Sequence, residues 1–286
     1  MSKKQEEIRQ LDLTAHEYAY MAKGYYESGL FDQALEQAEN ALYLYRLKAD
    51  PSQSEEVLFC LRIRACVISK YGEKKEWKKA FKNAEKMAKK QGDEIVYAGC
   101  LTDKGTAYGY LGKTKKAVRL RKKAIKLLTG KEGAEKELAH AQYLLGATYY
   151  GKKENDKADR CFSEAYRLIG DEDRVLFALG SVKVRKGEYE KAIDYLSACL
   201  RLREEKYREI PFHAELGEIY LLIGDVYSLM KVYVKAVKFY ARALRTYEIE
   251  GGDEVGYVET CKRLYGTYLQ LGEEARAEEY LKRVEE

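Results

Sequence analysis

The stretch "YLLIGDVYSLMKVYVKAVKFYARAL", residues 220–244, contains two helical patterns joined by a short break. The first pattern places a small residue, Gly224, three positions before an aromatic one, Tyr227. The second places small residues at Ala236 and, seven positions later, at Ala243. A glycine inside a helix costs about 1 kcal/mol relative to alanine, so some other interaction must offset that loss. Close approach of a paired helix would do so, and the stretch therefore predicts a helical hairpin.

The same pattern recurs along the whole chain. Alignment on one alanine gives seven segments, spaced 34 to 46 residues apart, which is the length of one helical hairpin. Nine residues before the alanine stands a tyrosine in six of the seven segments, with Lys183 as the exception. Twelve residues before it stands a small residue in five of them. The aligned alanines are Ala34, Ala80, Ala117, Ala158, Ala192, Ala236 and Ala277.

Length and composition agree with an array of helices. The chain has 286 residues, more than one ordinary compact core, which favours two domains or a repeat array. It has only two prolines, Pro51 and Pro211. So few helix-breaking residues in so long a chain indicate an all-α protein, because folds rich in strands need many turns.

The aligned residues resemble those of the tetratricopeptide repeat, both in residues 220–244 and in "YLLGATYYGKKENDKADRCFSEA", residues 143–165. The resemblance covers about residues 15 to 286, and the long repeats look similar to those of kinesin light chains and bacterial peptide-sensing regulators. It implies an all-α fold, a right-handed superhelical solenoid of about seven antiparallel helical hairpins that occupies residues 1–286 as one array. The predicted repeats are 15–48, 61–94, 98–131, 139–172, 173–206, 217–250 and 258–286.

One segment also matches a nucleotide-binding pattern. In "AYGYLGKT", residues 107–114, a small residue and four others precede Gly-Lys-Thr, as in a phosphate-binding loop. The repeat register instead places Ala107 to Leu111 at the end of a first helix and Thr114 as the cap of the second. The preceding "CLTDKGT" does not read as the buried strand that such a loop requires. We interpret the match as coincidence and predict no enzyme activity.

The sequence offers little else for chemistry. Six cysteines lie far apart without any Cys-x-x-Cys pair, so we expect reduced, buried thiols and no metal or cofactor. A charged amino terminus and the lack of a long apolar run predict a cytoplasmic protein without a membrane partner. His16 and His140 fall at the start of first helices, facing the inner groove. A surface or packed role is favoured for both over a role in binding.

Positive charge is concentrated in the middle of the chain. Between Lys70 and Lys131 there are nineteen Lys and Arg residues against six Asp and Glu. The runs "KKEWKKAFKNAEKMAKK" and "KTKKAVRLRKKAIK" are the second helices of repeats 2 and 3, on the outer wall. A solvated face is the simpler interpretation and an acidic partner the alternative; nothing resembles a nucleic-acid recognition element, so nucleic acid is not favoured. Leu281 and Val284 at the terminal repeat leave a homo-oligomer open.

The inner groove of first helices is the expected binding surface. The Lys, Asn and Arg set of the family's two-carboxylate clamp is absent, and Tyr143, Phe177, Leu221 and Leu222 suggest an apolar patch instead. We predict a non-enzymatic scaffold or adaptor that binds a protein or linear peptide in the concave groove. The alternatives are an intracellular sensor of a signalling peptide that acts through a partner, and a basic convex platform for acidic partners or nucleic acid. The predicted groove residues are Tyr20, Lys23, Arg62, Ser69, Thr102, Thr106, Tyr143, Ala147, Phe177, Ser181, Leu221, Asp225 and Lys262.

Overall fold

The structure, a computed structural model, describes residues 3–47, 55–71, 74–210, 212–248 and 254–285. Within these residues the regular elements are fourteen α-helices, without a β-strand. They form two compact units, Met1–Thr148 and Tyr149–Glu286. The breaks expected at Pro51 and Pro211, and the repeat ends at 48, 250 and 286, lie outside the described residues. The predicted all-α class of consecutive helical hairpins is confirmed, while the single array and its repeat boundaries stay predictions.

Helices of the first unit pair in the order of the chain. α1 packs on α2, α3 on α4 and α5 on α6, so that each pair forms one hairpin. Between hairpins, α2 packs on α3 and α4 packs on α5. First helices contact one another as well, α1 with α3 and α3 with α5, so they form one continuous face. The helices are α1 (Lys3–Glu27), α2 (Phe31–Arg46), α3 (Glu55–Tyr71), α4 (Lys74–Gln91), α5 (Glu94–Tyr110), α6 (Thr114–Leu128) and α7 (Glu135–Gly151), the last of which extends slightly beyond the unit.

The second unit repeats the same arrangement. α9 packs on α10, α11 on α12 and α13 on α14, and α8, α10 and α12 each pack on the first helix that follows. The fourth predicted repeat, 139–172, supplies α7 to the first unit and α8 to the second. The helices are α8 (Asn155–Ile169), α9 (Asp173–Lys186), α10 (Tyr189–Lys206), α11 (Ala214–Leu229), α12 (Tyr233–Tyr247), α13 (Glu254–Leu271) and α14 (Glu274–Glu285).

Small residues let the paired helices approach closely. All seven aligned alanines are buried. A Cβ atom placed on Gly180 would lie 3.5 Å from the carbonyl oxygen of Ala192 and 2.5 Å from the side chain of Leu196. On Gly224 it would lie 2.5 Å from the ring of Tyr240. The glycine therefore admits the paired backbone, as expected, and also a large side chain four residues after the aligned alanine.

A fixed turn explains why tyrosine and alanine are nine residues apart. After α5, the N–H of Gly112 donates to Gly109 O and the N–H of Lys113 donates to Tyr108 O, which is the Schellman pattern of a helix end. Gly112 takes a φ of 67°, which glycine adopts without strain. Lys113 is also the residue from which α6 begins, and its carbonyl accepts the first bond from Ala117.

The same turn corrects one prediction. Thr114 was expected to cap α6, but it is the first residue of that helix, and Lys113 holds the cap position without a side-chain hydrogen bond. The reason is that the Schellman turn uses Lys113 twice, as the end of one helix and the start of the next. Residues 107–110 belong to α5, so an α-helix precedes the Gly-Lys-Thr sequence where a phosphate-binding loop would need a strand.

Candidate functional site

Four first helices of the first unit line a cavity of about 120 Å³. They are α1, α3, α5 and α7, each of which contributes polar side chains to the wall. Thr106 and Ser69 were predicted for the inner groove, and His140 was expected to face it. All three line this cavity, and their role in binding stays a prediction. The cavity is lined by Tyr26 of α1, Ser69 and Lys70 of α3, Thr106 and Tyr110 of α5, and His140 of α7, among others.

Arg62, another predicted groove residue, is tied into a buried ion-pair network. Its Nε donates to Asp103 Oδ2 at 3.1 Å and its Nη1 donates to Glu137 Oε1 at 2.7 Å, which joins α3 to α5 and α7. Burial disfavours the charge, but Asp103 and Glu137 outweigh it and hold the pKa of Arg62 well above its usual value. A Cβ on Gly99 would lie 2.6 Å from the Arg62 guanidinium, so the glycine makes room for it. Arg62 thus fixes the spacing of first helices.

Arg121 is the site residue that sequence reasoning missed. It lies on the second helix α6, where a positive residue was read as part of a solvated face, yet it is only 5% exposed. Its Nη2 donates to Thr106 Oγ1 at 3.0 Å and its Nη1 donates to Leu144 O at 3.0 Å and to Thr148 Oγ1. The repeat register held part of the signal, because Arg121 stands four residues after Ala117, where three later repeats bury a large side chain: Phe162, Leu196 and Tyr240.

Arg121 is a buried cation without a carboxylate partner among the described ion pairs. Its Nε is buried and has no hydrogen-bond partner among the described residues. Burial lowers the pKa of its guanidinium to about 10. Gly105 gives it space, since a Cβ there would lie 3.2 Å from Arg121 Cγ. Such a cation is expensive to hold, because desolvation opposes its charge.

The charges around the cavity do not balance. Asp103 and Glu137 both bind Arg62, whereas Lys70 and Arg121 take part in none of the ion pairs among the described residues. The Lys70 ammonium lies 3.1 Å from the centroid of the Phe31 ring, a cation–π contact. Burial lowers the pKa of Lys70 from its ordinary value. Lys70 and Asp103 are the charged side chains that line the cavity; with the adjacent Arg62, Glu137 and Arg121 counted, cations exceed carboxylates by one.

The other predicted residues of the first unit differ in exposure. Tyr20 and Lys23 are exposed on α1, and Tyr143 is half-buried on α7. Thr102 is completely buried, and its hydroxyl donates to Ala98 O at 3.1 Å. A ligand cannot reach Thr102 in this structure, because its side chain points into the core and not into the groove. Ala147, one turn from Tyr143, is exposed.

In the second unit the predicted residues mostly take part in packing. Phe177 is half-buried, and the guanidinium carbon of Arg203 lies 4.7 Å from its ring centroid. Ser181 Oγ donates to Phe177 O at 2.7 Å. Asp225 accepts hydrogen bonds from Tyr240 and from an arginine of α13. Leu221 and Leu222 pack against separate apolar clusters, and Lys262 is exposed.

The outer face of the first unit is strongly basic. Two second helices, α4 and α6, expose twelve positive side chains that appear in none of the described ion pairs. Lys89 and Lys123 lie 4.8 and 5.6 Å from the ring centroid of Tyr97, so the two helices present one connected surface. We call this surface the basic face; it consists of Lys75, Lys78, Lys79, Lys82, Lys86 and Lys89 of α4 and Lys115, Lys116, Arg119, Lys122, Lys123 and Lys126 of α6.

The described residues contain neither a metal-binding cluster nor a membrane-spanning helix. Across residues 3–47, 55–71, 74–210, 212–248 and 254–285, no three His, Cys, Asp or Glu side chains are grouped so that they could hold a metal ion. No helix in these ranges has both the length and the apolar character that crossing a membrane requires. All six cysteines are free thiols, and burial raises the pKa of the Cys60, Cys100 and Cys199 thiols to about 12.

Comparison with known proteins identifies the repeat. Residues 171–249 match the family model of the tetratricopeptide repeat. No curated protein matches the sequence significantly. Among solved structures, apo RapI is similar over 94% of this chain and 75% of its own, with 16% identity and a TM-score of 0.73. BtubC from P. vanneervenii is similar over 78% and 89%, with 17% identity and a TM-score of 0.63.

A third solved structure, YrrB, is described as a TPR protein with an unusual peptide-binding site. It is similar over 72% of this chain and 90% of its own, with 18% identity and a TM-score of 0.53. At these identities the structural likeness establishes the fold, while the family match establishes the repeat in residues 171–249. Residues 171–249 therefore carry the tetratricopeptide repeat, and the chain has the fold of tetratricopeptide-repeat proteins.

Proposed function

We propose that the chain is a non-enzymatic scaffold that binds a protein segment or linear peptide on the face formed by its first helices. The observation that supports this most is the cavity in the first unit, which four first helices line with polar side chains. YrrB, which shares the fold, is described as having a peptide-binding site. The proposal extends that kind of activity to this chain.

The wall of the cavity is fixed before any ligand arrives. Arg62 joins α3 to α5 and α7, and Arg121 joins α6 to α5 and α7. Both arginine side chains pack against a glycine. A Cβ atom would lie 2.6 Å from Arg62 at Gly99 and 3.2 Å from Arg121 at Gly105, so neither position has space for a larger residue. A preorganised surface lowers the entropy that binding must overcome. Most of the conformational entropy lost on binding is therefore lost by the ligand and not by the protein.

The size of the cavity favours a peptide over a small molecule. At about 120 Å³ it is well below the roughly 300–1,000 Å³ of pockets that enclose a drug-sized ligand. It holds one side chain or one chain end, and the rest of the ligand would lie over exposed neighbours. Tyr110 at the rim is 61% exposed, and Tyr20 on α1 is 74% exposed. Exposed tyrosines of this kind are common anchors for peptides.

The test is a selection of peptides from a displayed random library on the purified chain. Affinities of the selected peptides are then measured for the wild type, for Tyr110→Ala and for Lys86→Gln, a matched change on the basic face. We expect Tyr110→Ala to weaken binding at least tenfold, because it removes an exposed aromatic at the rim of the cavity. Lys86→Gln should have no effect. Equal loss in both variants, or in neither, would contradict the proposal.

The basic face supports a second candidate function, docking of an acidic protein segment. Twelve exposed positive side chains without a described ion-pair partner attract a polyanion over a surface that two adjacent helices share. The ring of Tyr97 lies close to two lysines and does not offer an open face for stacking a base. That arrangement favours a carboxylate-rich segment over single-stranded nucleic acid.

This second function is tested with fluorescent poly-glutamate and with single-stranded DNA of equal charge. Binding to poly-glutamate should weaken steeply with salt and fall at least fivefold in the triple variant Lys78→Gln, Lys82→Gln and Lys86→Gln, because ion contacts are lost. Tyr110→Ala serves as the control and should not change it. Tighter binding of DNA than of poly-glutamate would contradict an acidic protein segment as the partner.

A further inference from the structure

We propose that the cavity of the first unit is a carboxylate subsite, in which the Lys70 ammonium and the Thr106 hydroxyl hold an acidic group of the bound peptide. The inference rests on the proposed peptide-binding function and names the chemistry of its ligand. Neither residue belongs to the family's two-carboxylate clamp, whose residue set this sequence lacks. The same chemistry suits a glutamate or aspartate side chain and a peptide C-terminus.

Thr106 supplies a hydrogen-bond donor to the cavity. Its Oγ1 accepts a bond from Arg121 Nη2 at 3.0 Å, so its own hydrogen must point elsewhere. Thr102 and Thr148 each donate to the carbonyl four residues earlier in their helix. Thr106 makes no such bond among the described residues, and its side chain lines the cavity. Its hydroxyl is therefore oriented as a donor for a ligand oxygen.

Lys70 supplies a charged donor on the same wall. Its ammonium contacts the Phe31 ring and is engaged in no ion pair among the described residues. A ring face accepts the cation without neutralising it, so the ammonium keeps its other N–H groups for an anion. Contact with Phe31 also restricts a side chain that would otherwise move freely, which makes the position of the charge more defined.

The buried charge of Arg121 lies next to Thr106, outside the cavity wall, and makes the electrostatic potential in the cavity more positive. It is 5% exposed, and its Nε is buried without a partner in the described part of the chain. Water screens a buried charge poorly, so its field extends into the adjacent cavity. The bond to Thr106 connects the buried cation to the proposed donor. Together these groups form a chain from guanidinium to hydroxyl to ligand oxygen, in which each bond polarises the next.

A basic or neutral occupant fits these groups less well. Asp103 is the carboxylate that lines the cavity, and its Oδ2 already accepts from Arg62. A lysine or arginine side chain would meet Lys70 and the field of Arg121, which repel it. The volume of about 120 Å³ equals the liquid volume of about four water molecules, enough for a carboxylate and a few methylenes. An acidic end group satisfies both the charge and the size.

The experiment uses the full chain and three pools of fluorescent random octapeptides that lack other acidic residues. The first pool has one internal glutamate and an amidated end, the second has glutamine there and a free carboxyl end, and the third has glutamine and an amidated end. We expect the first or the second pool to bind at least tenfold more tightly than the third. Thr106→Val and Lys70→Met should each reduce that preference at least threefold and leave the third pool unaffected.

Control variants keep the result interpretable. Thr106→Ser keeps a hydroxyl and should retain the preference, and unchanged binding of the third pool by Thr106→Val shows that this variant is folded. Lys238→Gln, a change of an exposed lysine of α12 outside both surfaces, should also retain it. Equal binding of the three pools, with Tyr110→Ala still abolishing it, would overturn the carboxylate subsite and leave peptide binding intact. Binding that Tyr110→Ala does not change would overturn the proposed function itself. A preference lost in Lys86→Gln and kept in Lys70→Met would assign the carboxylate to the basic face.

Discussion

One position of the repeat carries a buried cation in one repeat of the first unit and large apolar or aromatic side chains in repeats of the second. Four residues after the aligned alanine stands Arg121 in the first unit, and Leu196 and Tyr240 in the second. All three are buried against a glycine of the paired helix. Leu196 and Tyr240 add apolar burial, whereas Arg121 needs the hydrogen bonds of α5 and α7 to offset its desolvation. The backbone geometry is shared, so the positive charge beside the cavity is a property of the side chains alone.

The outer helices show a parallel difference. In the second unit, several exposed cations pair with nearby carboxylates, as Lys157 does with Glu154 and Lys191 with Glu188. The twelve side chains of the basic face appear in none of the described ion pairs. Exposed pairs add little stability, commonly about 0–1 kcal/mol, but they neutralise a surface. The first unit thus has both of the electropositive surfaces identified in this chain.

The largest expected effect on the free energy of unfolding comes from Tyr240, which fills this repeat position in the second unit. Tyr240→Ala should lower the free energy of unfolding by about 3–5 kcal/mol, because it empties a fully packed aromatic site. Tyr240→Phe keeps the ring and loses only the hydrogen bond to Asp225, for a cost of about 1 kcal/mol. Urea denaturation followed by circular dichroism measures both. Similar losses in the two variants would mean that the hydroxyl, and not the ring, stabilises the second unit.

The facing glycines give the next effect. Gly224→Ala places a Cβ 2.5 Å from the Tyr240 ring and should destabilise by about 1–3 kcal/mol through overpacking. Gly105→Ala meets the flexible stem of Arg121 at 3.2 Å and should cost less. Gly266→Ala, in α13 with nothing within 4 Å, is the matched control and should stabilise by about 1 kcal/mol. An order other than this in urea melts would contradict the close packing described above.

Turns between paired helices give a smaller effect. Lys231 joins α11 to α12 with a φ of 61°, in the Schellman position that Gly112 holds after α5. Lys231→Gly should raise stability by about 1 kcal/mol, because a side chain strains this conformation. Gly112→Ala should lower it by about as much. Opposite shifts of the melting temperature confirm that one turn serves both units, and shifts of the same sign would refute it.

The smallest expected effect is on how the melting temperature changes at low pH. Lys191 and Lys186 hydrogen-bond to Glu188 and lower its pKa to about 2, and Lys183 and Lys186 help to lower that of Asp159 against its burial. A lowered carboxyl pKa adds stability above the unfolded value, near 4.5 for glutamate, and that stability is lost as pH falls towards about 2. The melting temperature of the wild type should therefore fall over this range. Glu188→Gln should flatten the fall, whereas Lys86→Gln, on the unpaired basic face, should leave it unchanged.

The local parts of the fold could be predicted from the sequence. The aligned alanines are all buried, and Gly112, which the repeat register placed between two helices, lies in the turn there with a φ of 67°. Thr106 and Ser69 reach the cavity wall because helical periodicity alone decides which face they occupy. Thr102 shows the limit of that argument. It lies one turn from Thr106, yet its side chain is buried, since the boundary between groove and core depends on neighbouring helices.

By itself, the sequence determined the hairpins and their turns, because helices, Schellman bonds and the glycine–alanine pattern all act between residues close in the chain. Only the tertiary structure decided which charges are buried, paired or left over. Arg62 finds its carboxylates 41 and 75 residues away, on two other helices. Arg121 finds its acceptors on α5 and α7 and is removed from water there. In a helix full of lysines, the neighbouring residues do not distinguish that arginine from a solvated one; the repeat register marks its position, and only the tertiary contacts place its charge next to the cavity.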